Sequence, residues 1–393
     1  MTIGAQILVQ DGTTFKPIEG GLANAITEIR VEQHLDDQAT FAIRFQEDFT
    51  DGKTQTSGHE QLRRRAAIAI LVPRNADAKD LVCLLLGQIE QSDFDVAIGG
   101  VGSWFEIRGR DIRTSIDRKV EAQQFSGSSN VITTQLVSDL GDIELSVEPG
   151  VLEFPEASNY YRFHGSLLDG LAELARISNL SLWLTYAAEP LKSGDWKITS
   201  KLHLEPSPRR SKAEGGPDTP LAQLALVESP LPRLVILSGD ESETVVNFKV
   251  GTDFETTTLA KASSLDYEGN PSEAEVRETN VDDTNAGGRP PGDGDSEQNS
   301  LDPSAPGSPD KLQKLAEAAV TEGHWFVHAE TLTSAYMLGA VLQPHDLVRV
   351  VGAGCDAAGV YQVRDVTHVI NAAEHWMQVD LRTNSLPKEQ GHA

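Results

Sequence analysis

The sequence predicts a mainly β protein with α insertions, arranged as two small β-barrel-like domains plus a helical and strand insert. Three observations predict it. Thr40 to Gln46 alternates, with Phe41, Ile43 and Phe45 on one face and Ala42, Arg44 and Gln46 on the other. That is the period of a half-buried strand. Ser166 to Asn179 shifts to helical spacing, and the C-terminal part returns to short apolar runs punctuated by glycine.

Residues 1–111 form the first β module. Ile29, Val31, Gln33 and Leu35 alternate ahead of Asp36-Asp37, so this stretch and Thr40 to Gln46 are read as a hairpin. Ala66 to Val72 is a continuous apolar run ended by Pro73. Phe94 to Ile98 and Trp104 to Arg108 read as a further strand pair joined through Gly99-Gly100-Val101-Gly102. Many short strands with glycine turns predict a small barrel or sandwich.

Residues 112–205 are the insert. Ile132, Leu136, Val137 and Leu140 lie on one face of a short helix over Ser129 to Leu140, with Gly141 placed to terminate it. Leu167, Leu168, Leu171, Leu174 and Ala175 make a stronger stripe, opened by Ser166 and Asp169 as a capping box with Asp in place of Glu. Leu180 to Tyr186 and Trp196 to Leu204 read as strands.

Residues 206–264 open on a Pro/Arg/Lys surface loop, from Pro206 to Pro220, and lead by strands to the second β module. Residues 265–310 are rich in Gly, Pro, Ser, Asp, Glu and Asn, and no aromatic residue occurs between Tyr267 and Trp325. Such a stretch cannot bury enough apolar surface to fold alone, so it is read as an acidic strap or loop. Residues 311–386 hold a helix and the second barrel-like domain, the helix opening at Ser308-Pro309 with Leu312, Leu315, Ala316, Ala319 and Val320 as its stripe. Trp325 to His328, Leu347 to Val351, Val360 to Val363, Val366 to Ile370 and Trp376 to Leu381 read as its strands, and residues 387–393 as a tail. No repeat at a fixed period relates the two modules.

Charge bounds the partners. The 393 residues carry 33 Lys+Arg against 59 Asp+Glu, a formal net charge of −26. The sequence-independent attraction that drives DNA binding is missing, so stable nucleic-acid binding is not expected. A lumen through which a polyanion slides without sticking is compatible with this charge. The N-terminus lacks a basic stretch followed by an apolar one, and no apolar run is long enough for a membrane span, so a protein made in the cytoplasm without membrane insertion is expected. Two cysteines, Cys83 and Cys355, are too few for a disulfide framework. One bridge between them and a reducing compartment both fit, the second more simply.

No catalytic, cofactor-binding or metal residue is nominated. His324 and His328 have helical metal spacing, but Trp325-Phe326-Val327 between them argues for a strand. Gly352-Ala353-Gly354 follows a strand, yet Gly359 to Val363 returns as another strand instead of the helix that a dinucleotide loop must enter. The cluster from Asp293 to Asp295 lacks calcium-loop spacing. His368 is placed on the polar face of its strand in a structural role.

Several phrases, in order, resemble the late control gene D family, the hub proteins of contractile phage tails, whose fold recurs in the N-terminal part of VgrG spike proteins. Leu342-Gln343-Pro344-His345-Asp346-Leu347-Val348-Arg349-Val350-Val351-Gly352 is similar to the family's L-x-P-G-x-x-V-x-V-x-G run, with His345 where the family has Gly. Gly359 to Val363, Val366 to Ile370 and Leu381 to Asn384 resemble its G-x-Y-x-V, V-x-H-x-I and L-x-x-N phrases. Gly109-Arg110-Asp111 resembles the G-x-D that closes the first barrel, and the two helices of the insert match the pair that follows it.

The resemblance implies a hub-type fold and a structural protein with no enzymatic role and no cofactor. It implies a homotrimer whose six modules form a ring between a sixfold tube and a threefold spike. Its partners would be the tube protein, the spike protein and baseplate wedge components, in the cytoplasm during assembly and at the baseplate or tail tip of the finished particle. The chain ends at Ala393 soon after the second module, so the spike is expected to be a separate protein. The alternatives are a tail-tip carbohydrate- or receptor-binding protein and a tail-associated cell-wall hydrolase.

Overall fold

In a computed structural model, the residues described are 4–47, 49–50, 53–54, 56–74, 80–97, 102–120, 124–141, 143–147, 152–154, 161–206, 231–237, 242–253, 257–265, 269–277, 297–301, 309–323, 325–352 and 357–384. The first module supplies β1 (Gln6–Asp11), β2 (Thr14–Pro17), β3 (Ile26–His34), β4 (Thr40–Gln46), β5 (Ala67–Pro73), β6 (Leu81–Asp95) and β7 (Trp104–Asp111). The insert supplies α1 (Ser129–Leu136), β8 (Ile143–Val147), α2 (Leu167–Ile177), β9 (Ser181–Pro190) and β10 (Trp196–Glu205). Then come β11 (Arg233–Val235), β12 (Asn247–Thr252), β13 (Thr257–Leu265), β14 (Pro271–Arg277), β15 (Glu297–Leu301) and α3 (Pro309–Gly323). The second module ends with β16 (Val327–Ser334), β17 (Leu347–Val351), β18 (Gly359–Asn371) and β19 (His375–Thr383).

The protein is mainly β with helical insertions, as the sequence predicts. Among the described residues the two predicted barrels are not closed. One 16-stranded sheet runs β8-β10-β2-β1-β5-β6-β7-β4-β3-β18-β19-β16-β12, with β9 on β10, and β11 on β17 on β18. Among the described residues neither module pairs its own ends. The edge that β3 would need for closure is taken by β18 of the other module. The apolar faces follow the same path: Ile29, Val31, Phe41, Ile43 and Ile107 share one buried cluster with Val348, Val363, Val366, Ile370, Met377 and Val379.

The apolar run of β5 has a local cause. Ile68 and Ile70 face the shared core, while Ala69 and Leu71 face a second cluster. The hairpin β9–β10 covers that second face with Tyr186, Ala188, Trp196 and Ile198. A strand covered on both sides loses its alternation.

The helices follow their stripes. Ser166 and Asp169 form the predicted capping box of α2, and Leu167, Leu171 and Leu174 bury into the insert core with Ile132 and Leu136 of α1. α1 begins one residue after its cap, Ser128, and gives way to a 3-10 turn at Ser138–Leu140. Within residues 265–310, read as an acidic strap, the structure places two strands. Ser272, Ala274 and Val276 alternate inward on β14 with exposed Glu273 and Glu275. β14, β13 and β15 form a small sheet, and α3 packs on it through Leu312, Ala316 and Val320. A strand needs only this alternation plus a helix to lie against, which composition averages away.

Candidate assembly interface

The seam between the modules is an antiparallel pairing of β3 with β18, from Glu28 opposite Asn371 to His34 opposite Asp365. Ile29, Val31 and Gln33 point inward from β3; Val366, His368 and Ile370 do so from β18. The placement of His368 on a polar face is corrected here: it is 0% exposed. It shares the apolar side of its strand because the period-2 count from Val366 and Ile370 puts it there, and a polar chain satisfies it. Gln33 Nε2 donates to the Leu84 carbonyl at 2.6 Å, which leaves Gln33 Oε1 to accept from His368 Nε2 at 2.9 Å. His368 Nδ1 is then an acceptor, and His375 Nε2 donates to it at 3.0 Å. Both rings are neutral in this chain. Burial first, and then His375, hold His368 well below the ordinary histidine range, while burial pushes His375 down to about 4.

The Gly109-Arg110-Asp111 phrase joins β7 to the insert. A Cβ on Gly109 would stand 1.9 Å from the Gln88 carbonyl oxygen and 2.7 Å from the Phe41 ring, so only glycine lets β7 pass there. Asp111 is 0% and Arg113 2% exposed. The Asp111 carboxylate accepts from Ala39 N at 2.7 Å, Arg113 N at 2.8 Å and Arg113 Nη2 at 2.7 Å. Arg113 Nη2 also donates to the Asp37 carbonyl at 2.6 Å. The pair thus fixes the start of the insert to the β3–β4 turn. Arg110 extends the joint, donating to Glu90 at 2.9 Å, Gln38 at 2.8 Å and Asp117 at 2.7 Å.

A second joint ties the insert to the second module. Trp183 of β9 is stacked between His203, with ring centroids 4.6 Å apart, and His345, 3.7 Å apart. His345 has φ +76°, the left-handed conformation that favours glycine. The turn therefore keeps the geometry a glycine would give, and the histidine adds a ring against Trp183. Asp36 Oδ1 accepts from Leu182 N at 2.6 Å beside it.

The outer face of β3, β4, β7 and β6 is charged. Arg44 meets Glu106 at 2.8 Å, Arg108 meets Glu106 at 2.6 Å and Asp93 at 3.1 Å, and Arg110 meets Glu90 at 2.9 Å. Arg44, Glu90, Glu106, Arg108 and Arg110 line a trough of about 490 Å³. A more apolar cleft of about 720 Å³ lies between α2 and α3, lined also by Trp325, Arg382 and Asp36. The Arg382 guanidinium lies 4.3 Å from the centroid of the Trp325 ring.

Residues weighed for chemistry do not converge. His328 lies on β16, and His324, Cys355 and the Asp293 to Asp295 cluster fall outside the described residues. Gly352 stands in the connection between antiparallel β17 and β18, the hairpin the sequence predicts. Cys83 is a buried free thiol. Among the described residues no group of three or more His, Cys, Asp or Glu could hold a metal ion, and no helix is long and apolar enough to cross a membrane. The Gly109 phrase was visible in the sequence. The His368 chain and the Trp183 stack were not, because each joins residues far apart in the chain.

No protein-family model matches the chain, and no curated protein matches it. Solved structures do match in fold. The tail protein from Neisseria meningitidis MC58 aligns with TM-score 0.63 and 11% identity, over 98% of this chain and 98% of that one. The 43 kDa tail protein of prophage MuSo2 from Shewanella oneidensis aligns with TM-score 0.58 and 13% identity, over 96% and 98%. A chain of the Francisella PdpA–VgrG complex aligns with TM-score 0.55 and 10% identity, over 100% of this chain and 59% of that one. The chain shares its fold with these tail and VgrG proteins.

Proposed function

We propose that the protein is a structural hub subunit of a contractile tail or injection-system baseplate. The observation that carries this reading is the end-to-end fold match to a tail protein, with TM-score 0.63 over 98% of both chains at 11% identity. Three copies form a ring, each contributing two β modules, and the ring joins a sixfold tube to a threefold spike. A ring of identical copies closes heterologous interfaces without leaving a free edge. The joints support this. The β3–β18 seam, the buried Asp111–Arg113 pair and the Trp183 stack hold the modules and insert as one body, suited to transmitting load. The tube protein, the spike protein and baseplate wedge components are its partners, and the net charge of −26 lets acidic cargo pass without sticking. The role is structural and without catalysis, at the baseplate of the assembled particle.

Negative-stain electron microscopy of the purified chain at high concentration tests the reading. Threefold or pseudo-sixfold rings with an open channel are expected. Compact particles without a channel at every concentration, together with lysis of peptidoglycan in a turbidity assay, would overturn it in favour of a hydrolase.

A further inference from the structure

Three consecutive arginines, Arg63, Arg64 and Arg65, form the longest unbroken run of basic residues in a chain of net charge −26. All three are exposed, on the segment that leads into β5. Arg63 has a loose ion pair with Glu60 at 3.9 Å, with both side chains largely in solvent. Such a pair contributes little. Arg64 and Arg65 have no ion pair or hydrogen-bonded side chain among the described residues. The five other arginines of this module are engaged: Arg44, Arg108 and Arg110 are paired on the charged sheet face, Arg30 with Glu32 at 2.7 Å and Arg74 with Asp80 at 3.0 Å.

The segment is also held rigid. Arg65 has φ +67°, a conformation that costs an arginine on the order of 1 kcal/mol. The sheet imposes it. Arg65 N donates to the Ile89 carbonyl at 2.7 Å, Ile89 N donates to the Ala66 carbonyl at 3.0 Å, and Ala66 N donates to the Arg63 carbonyl at 3.0 Å. A local backbone cost that positions a solvent-facing charge points to a use for that charge. Arg63 and Arg65 border a cleft of about 570 Å³ shared with Lys16 and His59. Of the acids there, Asp11 is paired with Lys16 at 2.5 Å and Glu19 with His59 at 3.3 Å, while Glu60 makes only its loose contact with Arg63. The guanidinium groups are left to face outward.

We infer that Arg63, Arg64 and Arg65 are a docking surface for an acidic face of a second copy of this chain. Copies this acidic repel one another, so self-association needs a patch of opposite sign at the contact. The arginine run is such a patch, and every other copy offers an excess of carboxylates. The inference rests on the ring reading and names one side of its subunit contact.

The test is sedimentation velocity of the full-length chain at ~20 mM and ~500 mM salt, where screening is weak and strong. The variants are Arg63→Glu/Arg64→Glu/Arg65→Glu, a neutral triple Gln and a charge-conserving triple Lys. The Glu variant is expected to shift the association midpoint at least tenfold toward higher concentration at low salt, with the Gln variant between. The Lys variant should associate like wild type, and carbodiimide treatment should then link its new lysines to carboxylates of another copy. Melting temperatures should stay close together, because the side chains are exposed. Rings formed equally well by the Glu variant would overturn this inference and leave the ring reading standing. A wild type that stays monomeric under all conditions would overturn both. Loss of binding to a short DNA duplex, with unchanged self-association, would assign the patch to a polyanion and overturn the inference.

Discussion

His368 Nδ1 accepts a hydrogen bond from His375 Nε2 at 3.0 Å inside the second module, and the same ring reaches across the seam to Gln33 of the first. Both imidazoles must stay neutral for this chain of donors and acceptors to hold. A histidine whose folded pKa lies below its unfolded value stabilises the fold above the unfolded value, near 6.5. That stability is lost as pH falls below it toward the folded one, about 4 for His375. His34, raised mainly by its bond to Asp365 on the seam, works in the opposite sense. The melting temperature is expected to fall from pH 7 to pH 5, and His375→Gln should make that slope shallower. A slope that His375→Gln leaves unchanged would remove the pair from the account.

His345 is predicted to rank its own substitutions unusually. Alanine loses the Trp183 stack, about 0.5–1.5 kcal/mol, and keeps the left-handed backbone at φ +76°. Glycine loses the stack but relieves the backbone, recovering ~1 kcal/mol. Urea unfolding should show His345→Ala less stable than His345→Gly. The reverse order would mean that the turn relaxes when the ring is removed.

The Asp111–Arg113 pair should be costly to break from one side. Asp111→Asn leaves a guanidinium that is 2% exposed without its counter-charge, a loss of about 3–5 kcal/mol. Replacing both with apolar residues of similar volume should cost less than the single change. A double-mutant cycle on denaturation midpoints reads the coupling directly, and additivity of the two changes would contradict it.

Gly109→Ala should destabilise the protein by more than ~2 kcal/mol, since the added carbon meets the Gln88 carbonyl oxygen and the Phe41 ring. Gly251→Ala is the control. Nothing lies within 4 Å of a Cβ there, so it should be neutral within about 0.5 kcal/mol. Equal melting temperatures for the two variants would show that β7 can shift away from β6.

These variants also mark what the sequence reveals. The Asp169 capping box of α2, the alternation of β4 and the hairpin of β17 with β18 are local patterns, set by residues within one or two turns or strands of each other. The Gly109 phrase is local in sequence, and its reason is not: the clash partner is a carbonyl on β6. The seam was invisible because period-2 alternation says which side of β3 is buried but not which strand lies beside it. The burial of His368 is hidden in the sequence for a related reason. A polar residue on an apolar face is tolerated once every polar atom finds a partner, and its partners, Gln33 and His375, belong to two other strands. The arginine run is plain in the sequence, but that Arg64 and Arg65 stand unpaired among paired neighbours within the described residues is a property of the fold alone.

The seam bears on how the chain is made. His34 and its partner Asp365 are 331 residues apart. At a synthesis rate of about 5–20 residues per second, β3 emerges from the ribosome tens of seconds before β18 exists. During that interval its edge stays unpaired, although Ile29 and Val31 already have Phe41, Ile43 and Ile107 of their own module to pack against, and a bare strand edge invites wrong pairing with other nascent chains. The N-terminal module completes its edge only when the last strands arrive. Fragments that stop before Gly359 should accumulate as insoluble material even though every strand of the N-terminal module is present in them.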